Sequence, residues 1–267
     1  MPVAAKGSLC YQPLLGTTVR LDSQVIVACG ASWYARGMKI RAVIFDRDNT
    51  LVQFDRAAIA ALGARVSAIA PEISPDVQQT HWLTWPGPWP RSVEEEPAFW
   101  HAYWGALAAR YALSADATHA LQAIGAFYHT CFTVFPDVVA CLAALRSCGL
   151  RLAVLTNFEL PSVHLTLAHA GIDPGWFTAL LSSSSLGLRK PDLRAYQAAA
   201  AALDLPPDAC VFVDDLLVNV EAACAAGMRG ILLDREHVHT FTTVERINSL
   251  HELVDLLTAN DRSIGWT

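Results

Sequence analysis

The chain has 267 residues, of which 53% are hydrophobic and 16% are charged, and its formal net charge is −6 at pH 7. This length allows one large domain or two small ones, and a mean hydropathy of +0.31 excludes a disordered protein. The acidic balance disfavours general nucleic-acid binding, which requires a basic surface. No apolar run reaches the roughly 18 residues that cross a bilayer, so we expect neither nucleic-acid nor membrane partners.

The first 37 residues lack the periodicity of the chain that follows them. They contain Lys6 but no continuous apolar block of the kind found in a secretory signal, so a cytoplasmic location is the default expectation. Met38 stands immediately before the first apolar run. We therefore predict that 1–37 is an N-terminal extension, or that the true start is Met38.

From residue 42 onward, short apolar runs alternate with helical patterns. The runs are 42–45, 151–155, 178–181, 210–213 and 230–233, and the helical patterns between them include 137–148, 162–170, 192–203 and 218–226. Apolar runs without polar alternation are typical of strands buried on both faces. Strands that alternate with helices predict an α/β fold with a doubly wound parallel sheet.

Residues 57–133 interrupt this alternation. The segments 56–70, 94–111 and 115–128 have helical patterns, and a stretch rich in proline and tryptophan lies at 82–90. A helical insertion after the first strand predicts a lid over the site. We expect the tryptophans here mainly to form the lid's own core, with one or two of them facing the substrate.

Polar residues gather where the predicted strands end, namely Asp46, Thr156, Ser183, Asp214 and Asp215. In open parallel sheets, ligands bind outside the carboxyl ends of the strands. Each of these residues alone could be a helix cap or a solvated turn. Their occurrence at consecutive strand ends instead predicts a single site.

The first strand end is the most informative, because Asp46 and Asp48 leave it two residues apart and can point to the same side. Two close carboxylates repel each other unless one is protonated or a cation holds them, and Mg²⁺ favours such oxygen ligands. At the second strand end, Thr156 and Asn157 offer a hydroxyl and an amide next to a helix N-terminus, where phosphate binds.

Four ordered motifs resemble those of the haloacid dehalogenase-like (HAD) hydrolase superfamily: VIFDRDNTL (43–51), AVLTN (153–157), GLRKPD (187–192) and VFVDDLLVN (211–219), which continues to AGM (226–228). The resemblance covers about 42–260 and favours the phosphatase type, which is phosphoglycolate phosphatase-like. It implies a Rossmann-like core at 38–56 and 134–267, a small all-helical cap at 57–133, and a Mg²⁺-dependent phosphatase or phosphotransferase that acts on a small phosphorylated substrate.

The resemblance also implies a role for each motif residue. Asp46 would be the nucleophile that becomes an aspartyl phosphate, and Asp48 would protonate the leaving oxygen and then deprotonate water. Thr156, Asn157 and Lys190 would bind the phosphoryl group. The metal ligands would be Asp46, the backbone carbonyl of Asp48, Asp214 and Asp215. Lys190 is the single lysine after residue 39.

Two departures from the family pattern concern this site, because Asn49 replaces a common glycine and Val220 stands where many relatives carry a further acid. Since dehalogenating members lack the second acid of the first motif, Asp48 favours phosphate chemistry. A sugar phosphomutase, a phospho-aspartate signalling module and a catalytically idle binding protein remain alternatives. The expected state is a monomer or a homodimer.

Overall fold

The computed structural model describes residues 39–258, so the predicted extension at 1–37 lies outside the described residues. The main sheet contains β1 (Ala42–Phe45), β4 (Arg151–Thr156), β5 (Ala179–Ser182), β6 (Cys210–Asp214), β7 (Arg229–Leu233) and β8 (Glu245–Ile247). Its strands lie in the order β5-β4-β1-β6-β7-β8, and all the pairings are parallel. The predicted doubly wound parallel sheet is confirmed.

Helices surround this sheet and fill the insertion after β1. The insertion contains α1 (Arg56–Ile69), α2 (Pro75–Leu83), α3 (Glu96–Arg110) and α4 (Ala115–Ile124), flanked by the short antiparallel strands β2 (Val52–Phe54) and β3 (Phe132–Val134). The later helices are α5 (Val138–Ser147), α6 (Val163–His169), α7 (Ser183–Leu186), α8 (Leu193–Ala202), α9 (Leu217–Ala225) and α10 (Leu250–Thr258). Within 39–258, every helix is too short or too polar to cross a membrane.

The central strand β1 explains the unalternated apolar pattern. Val43 and Phe45 pack in one buried cluster with α5 and α6, whereas Ala42 and Ile44 pack in a second cluster with α8 and α9. Successive side chains of a strand point to opposite faces, so a strand covered by helices on both faces must be apolar at every position. All four residues are fully buried.

Strand register positions the site. Phe45 is paired with Val154 of β4 on one side and with Val213 of β6 on the other. Asp46 therefore lies level with Leu155 of β4 and with Asp214, the last residue of β6, and β4 ends one residue further on at Thr156. The backbone N–H of Asp46 still donates to the Val213 carbonyl at 2.8 Å, so the sheet ladder continues to this residue.

The insertion has an aromatic core of its own. Trp100, Trp104, Phe99 and Tyr103 of α3 are buried there, and Trp82, Trp85 and Trp89 pack against this cluster. The tryptophans of the insertion thus mainly form its core, as expected, whereas the role of the insertion as a lid and the contact of one or two tryptophans with substrate stay predictions. Leu160, which follows β4, is also part of the cluster, so it joins the insertion to the sheet edge.

Six elements were not predicted from the sequence, namely α2, α7, α10, β2, β3 and β8. Helix α2 begins with Pro75 and is capped by the Ser74 side chain, which accepts from the Val77 N–H. These are start signals for a helix, and they lie just before the stretch rich in proline and tryptophan at 82–90. Strands β2, β3 and β8 have three residues each and α10 has nine. Runs of three residues carry too few positions for a periodic pattern. In α10, by contrast, Leu250, Leu253 and Leu257 follow helical spacing, so this helix left a pattern in the sequence.

Candidate active site

Lys190 is the centre of a buried charge cluster at the carboxyl ends of β1 and β6. Its Nζ donates to Asp46 Oδ1 at 2.5 Å and to Asp214 Oδ2 at 2.6 Å, and all three side chains are almost completely buried. Burial alone disfavours the ammonium, but the carboxylates of Asp214 and Asp46 raise the pKa of Lys190 above its usual value. Lys190 therefore stays charged.

Asp214 is held by several donors besides the ammonium. Its Oδ1 accepts from the backbone N–H of Leu216 at 2.8 Å, and its Oδ2 accepts from Asn219 Nδ2 at 3.0 Å. The Asn219 carbonyl in turn accepts from the Tyr196 hydroxyl at 2.8 Å. These bonds fix one orientation of the Asp214 carboxylate.

Asp215 adds a third carboxylate to the cluster. One ligand oxygen each of Asp46, Asp214 and Asp215 lies within 4.8 Å of the others, and this is the group in the described part of the chain that could hold a metal ion. Asn49, the residue after Asp48, has φ of +55°. Asparagine tolerates this left-handed conformation, which explains how it replaces the common glycine.

The cluster carries more negative than positive charge, and the pKa values reflect this imbalance. Burial, with Asp214 as a further cause, raises the pKa of Asp215 to about 7. Burial also raises the pKa of Asp46 well above its usual range, although the Lys190 ammonium opposes this shift. When all three carboxylates are ionised, two negative charges remain beyond the one that the ammonium compensates, and a divalent cation would compensate these two charges.

Asp48 lies beside Arg47, which was not singled out from the sequence. Arg47 donates to Asp48 Oδ1 through Nε at 3.0 Å and through Nη2 at 2.8 Å, and to Oδ2 through Nη2 at 3.0 Å. The Arg47 side chain has no exposed surface, whereas that of Asp48 is 36% exposed. Its position between the two acids of the first motif is the feature of the sequence that could have pointed to Arg47.

The second motif binds the backbone around Lys190. Asn157 Nδ2 donates to the Lys190 carbonyl at 2.9 Å, and its Oδ1 accepts from the Lys190 N–H at 2.8 Å. Thr156 Oγ1 accepts from the Phe158 N–H at 3.1 Å, and the hydroxyl proton of Thr156 is then available for another acceptor. The buried Ser183 Oγ lies within hydrogen-bond distance of Asn157 O, at 3.1 Å.

The predicted residues therefore fall into connected groups. Asp46, Lys190, Asp214 and Asp215 form the charge cluster, and Asn157 holds the Lys190 backbone. Asp48 is paired with Arg47 instead of with Lys190. The substrate and metal roles assigned from the resemblance stay predictions.

Known proteins resemble this chain in sequence and in fold. Residues 40–227 match the family described as haloacid dehalogenase-like hydrolase. The chain is 31% identical over 223 residues to phosphatase MT3486 of Mycobacterium tuberculosis (strain CDC 1551 / Oshkosh), which covers 82% of this chain and 98% of that protein.

Two solved structures share the fold across most of the chain. A 2-haloacid dehalogenase from Pseudomonas syringae pv. Tomato DC3000 superposes with a TM-score of 0.62 at 23% identity, over 82% of this chain and 99% of that one. A HAD phosphatase from Thermococcus onnurineus gives a TM-score of 0.57 at 20% identity, over 82% and 98%. At these identities the structures establish the fold alone. The family match spans well over half of the sequence, and the chain therefore belongs to the haloacid dehalogenase-like hydrolases.

Proposed function

We propose that this protein is a Mg²⁺-dependent phosphatase that hydrolyses a small phosphate monoester through an aspartyl phosphate on Asp46. The observation that carries the proposal is the buried contact of Lys190 with Asp46, next to Asp214 and Asp215. The phosphatase relative that aligns over 98% of its own length supports the same reaction class. A carboxylate held by an ammonium in a water-poor site is suited to attack phosphorus.

The metal in this proposal would be held by Asp46, Asp214 and Asp215, with the backbone carbonyl of Asp48 as a further ligand. When bound, Mg²⁺ would offset negative charge on the phosphoryl oxygens. The fit rests on the two uncompensated negative charges of the cluster and on the hard oxygen donors that Mg²⁺ prefers.

The chain's own residues divide the reaction into two displacements. An Asp46 oxygen forms a bond to phosphorus as the ester P–O bond breaks, and Asp48 gives its proton to the departing oxygen. Water then attacks phosphorus while Asp48 takes up a proton, and the bond between Asp46 and phosphorus breaks. Asp48 is thus acid first and base second, and the enzyme returns to its starting state.

Thr156 and Lys190 stabilise the transferring group in this scheme. The Thr156 hydroxyl accepts one hydrogen bond from the backbone, so its own proton can be donated to a phosphoryl oxygen. The Lys190 ammonium offsets charge on Asp46 and phosphate. Asn157 contributes by holding the Lys190 backbone on both its N–H and C=O sides.

Residues 57–133 form the cap in this proposal, and 38–56 with 134–267 form the catalytic core, of which residue 38 and residues 259–267 lie outside the described part of the chain. The segment after β4 supports this division, because Leu160 and Phe158 pack with the aromatic cluster of the insertion. A polar contact also crosses the boundary. Glu96 of α3 accepts from the Ser162 N–H at 2.6 Å and from the Ser162 hydroxyl at 2.8 Å, and both residues are buried.

Replacing Glu96 by leucine is expected to lower the free energy of unfolding by about 1–3 kcal/mol, because the buried Ser162 donors lose their acceptor. Glu96→Gln should stay much closer to the wild type, since an amide oxygen can accept from the N–H while the amide NH₂ faces the hydroxyl. Urea unfolding of both variants, with the exposed Glu94→Gln as control, measures this. Equal stability of Glu96→Leu and wild type would contradict the contact.

Phosphate release from p-nitrophenyl phosphate tests the proposed function. We expect turnover with Mg²⁺, loss of turnover after chelation with EDTA, and recovery when Mg²⁺ is added back. A panel of phosphorylated metabolites then identifies the preferred substrate. No phosphate release from any ester in the panel, by a folded and Mg²⁺-supplied enzyme, would refute the proposal.

The same panel separates hydrolysis from phosphoryl transfer. A phosphomutase would isomerise a sugar phosphate without net phosphate release, whereas a phosphatase releases one phosphate for every ester consumed. Chloride release from a 2-chloro acid instead of phosphate release would identify a dehalogenase and would overturn the role given to Asp48.

A further inference from the structure

Arg47 is a completely buried arginine whose charge is matched by a single carboxylate, that of Asp48. Burying a guanidinium is costly unless hydrogen bonds and an opposite charge compensate it. Here three hydrogen bonds from Nε and Nη2 reach the two Asp48 oxygens. A bidentate pair of this kind fixes the orientation of both groups.

The Arg47 guanidinium also packs against aromatic rings. Its central carbon lies 3.8 Å from the ring centroid of Phe158 and 4.7 Å from that of Phe132. Phe158 stacks at 11° on Tyr128 and at 21° on Trp82, two residues of the insertion. Packing against these rings restricts the Arg47 side chain and keeps its guanidinium beside Asp48.

The two acids of the first motif are therefore held by two different cations. Lys190 contacts Asp46, the proposed nucleophile, whereas Arg47 contacts Asp48, the proposed acid and base. Proton transfer needs its donor within hydrogen-bond reach of the leaving oxygen, so a fixed carboxyl orientation raises the rate of that step. Arg47, which holds the Asp48 carboxyl, is thus the residue that can set this orientation.

We propose that Arg47 is the positioning residue that holds Asp48 for proton transfer to and from the reacting oxygens. This inference rests on the proposed phosphatase function and adds a residue to it. In the first step, Asp48, which is 36% exposed and takes up a proton from solvent beforehand, passes this proton to the ester oxygen while the P–O bond breaks and Asp46 bonds to phosphorus. Arg47 exchanges no proton and touches no reacting atom.

Leaving groups of different basicity test this role. The p-nitrophenolate that leaves p-nitrophenyl phosphate is a weak base and needs little protonation. The phenol oxygen of phenyl phosphate and the alcohol oxygen of benzyl phosphate are increasingly basic leaving groups and need protonation more. The value of kcat/KM includes only steps up to this P–O cleavage. We expect Arg47→Met to lower kcat/KM for benzyl phosphate by about 10²-fold, and to lower kcat/KM for p-nitrophenyl phosphate by less than about tenfold. Asp48→Asn should show the same difference between the two substrates.

Further variants separate positioning from a structural effect. When Arg47→Met is added to Asp48→Asn, the ratio of kcat/KM for the two substrates should not change further. Arg47→Lys should recover part of the kcat/KM for benzyl phosphate that Arg47→Met loses. Arg41→Met, at an exposed arginine just before β1, is the matched control. A uniform loss across the three esters in Arg47→Met, or in Arg47→Lys if the methionine variant does not fold, would overturn the inference. Absence of phosphatase activity in the wild type would instead refute the proposed function.

Discussion

Replacing Lys190 by methionine is expected to lower the free energy of unfolding by about 3–5 kcal/mol, because it leaves buried carboxylates without their compensating charge. The ammonium lies within 2.6 Å of Asp46 and Asp214, and its side chain is 1% exposed. Urea unfolding in EDTA measures the loss without a cation that could replace the ammonium. Phosphatase activity should be lost in the same variant.

Two further variants make this prediction specific. Adding Asp214→Asn to Lys190→Met should recover part of the lost stability, since one uncompensated charge is removed. Lys190→Arg retains the charge and should destabilise less, yet lose most activity, because a broad guanidinium cannot occupy the position of a compact ammonium between two carboxylates. Near wild-type turnover of Lys190→Arg would contradict the role given to the lysine.

Asp46→Asn is expected to reduce turnover of p-nitrophenyl phosphate by about 10⁴-fold or more, because the amide cannot form the aspartyl phosphate. The variant should fold. Asp214 still compensates Lys190, and burial already raises the pKa of the Asp46 carboxyl, so a neutral amide is no harder to bury. Full activity of Asp46→Asn would exclude the proposed mechanism.

An acidic residue near the same motif provides the control for this variant. Asp192 follows Lys190 by two residues and caps α8 by accepting from the Arg194 N–H at 3.0 Å, and its side chain is 35% exposed. Since asparagine caps helices about as well as aspartate, Asp192→Asn should retain both stability and turnover. A comparable loss in both variants would show that the assay reports general damage to the fold.

The parallel sheet could be predicted from the sequence because burial of a strand on both faces requires an uninterrupted run of apolar residues. A strand such as β1 must be apolar at every position, and it ends where Asp46 leaves the sheet. The same pattern predicts that the polar residues after these strands lie close together, since parallel strands bring their carboxyl ends to one edge. The structure joins Asp46, Lys190 and Asp214 at that edge.

The partners of individual side chains could not be predicted in the same way. Arg47 follows a strand like any loop residue, and nothing local indicates that its guanidinium is buried against Phe158 and Phe132. The pairing of Asn157 with the Lys190 backbone likewise depends on the relative position of two loops. Such contacts arise from tertiary packing between distant segments, which residue patterns do not encode.

The chemical trapping of Asp46 tests the central claim most directly. Borohydride reduces an acyl phosphate to an alcohol, so enzyme quenched with borohydride during turnover of p-nitrophenyl phosphate should contain homoserine at position 46. Peptide mapping by mass spectrometry should find this product in the wild type and not in Asp46→Asn or in enzyme without substrate. Rapid phosphate release by an enzyme that shows no reduction at Asp46, or reduction at another carboxylate, would contradict the account.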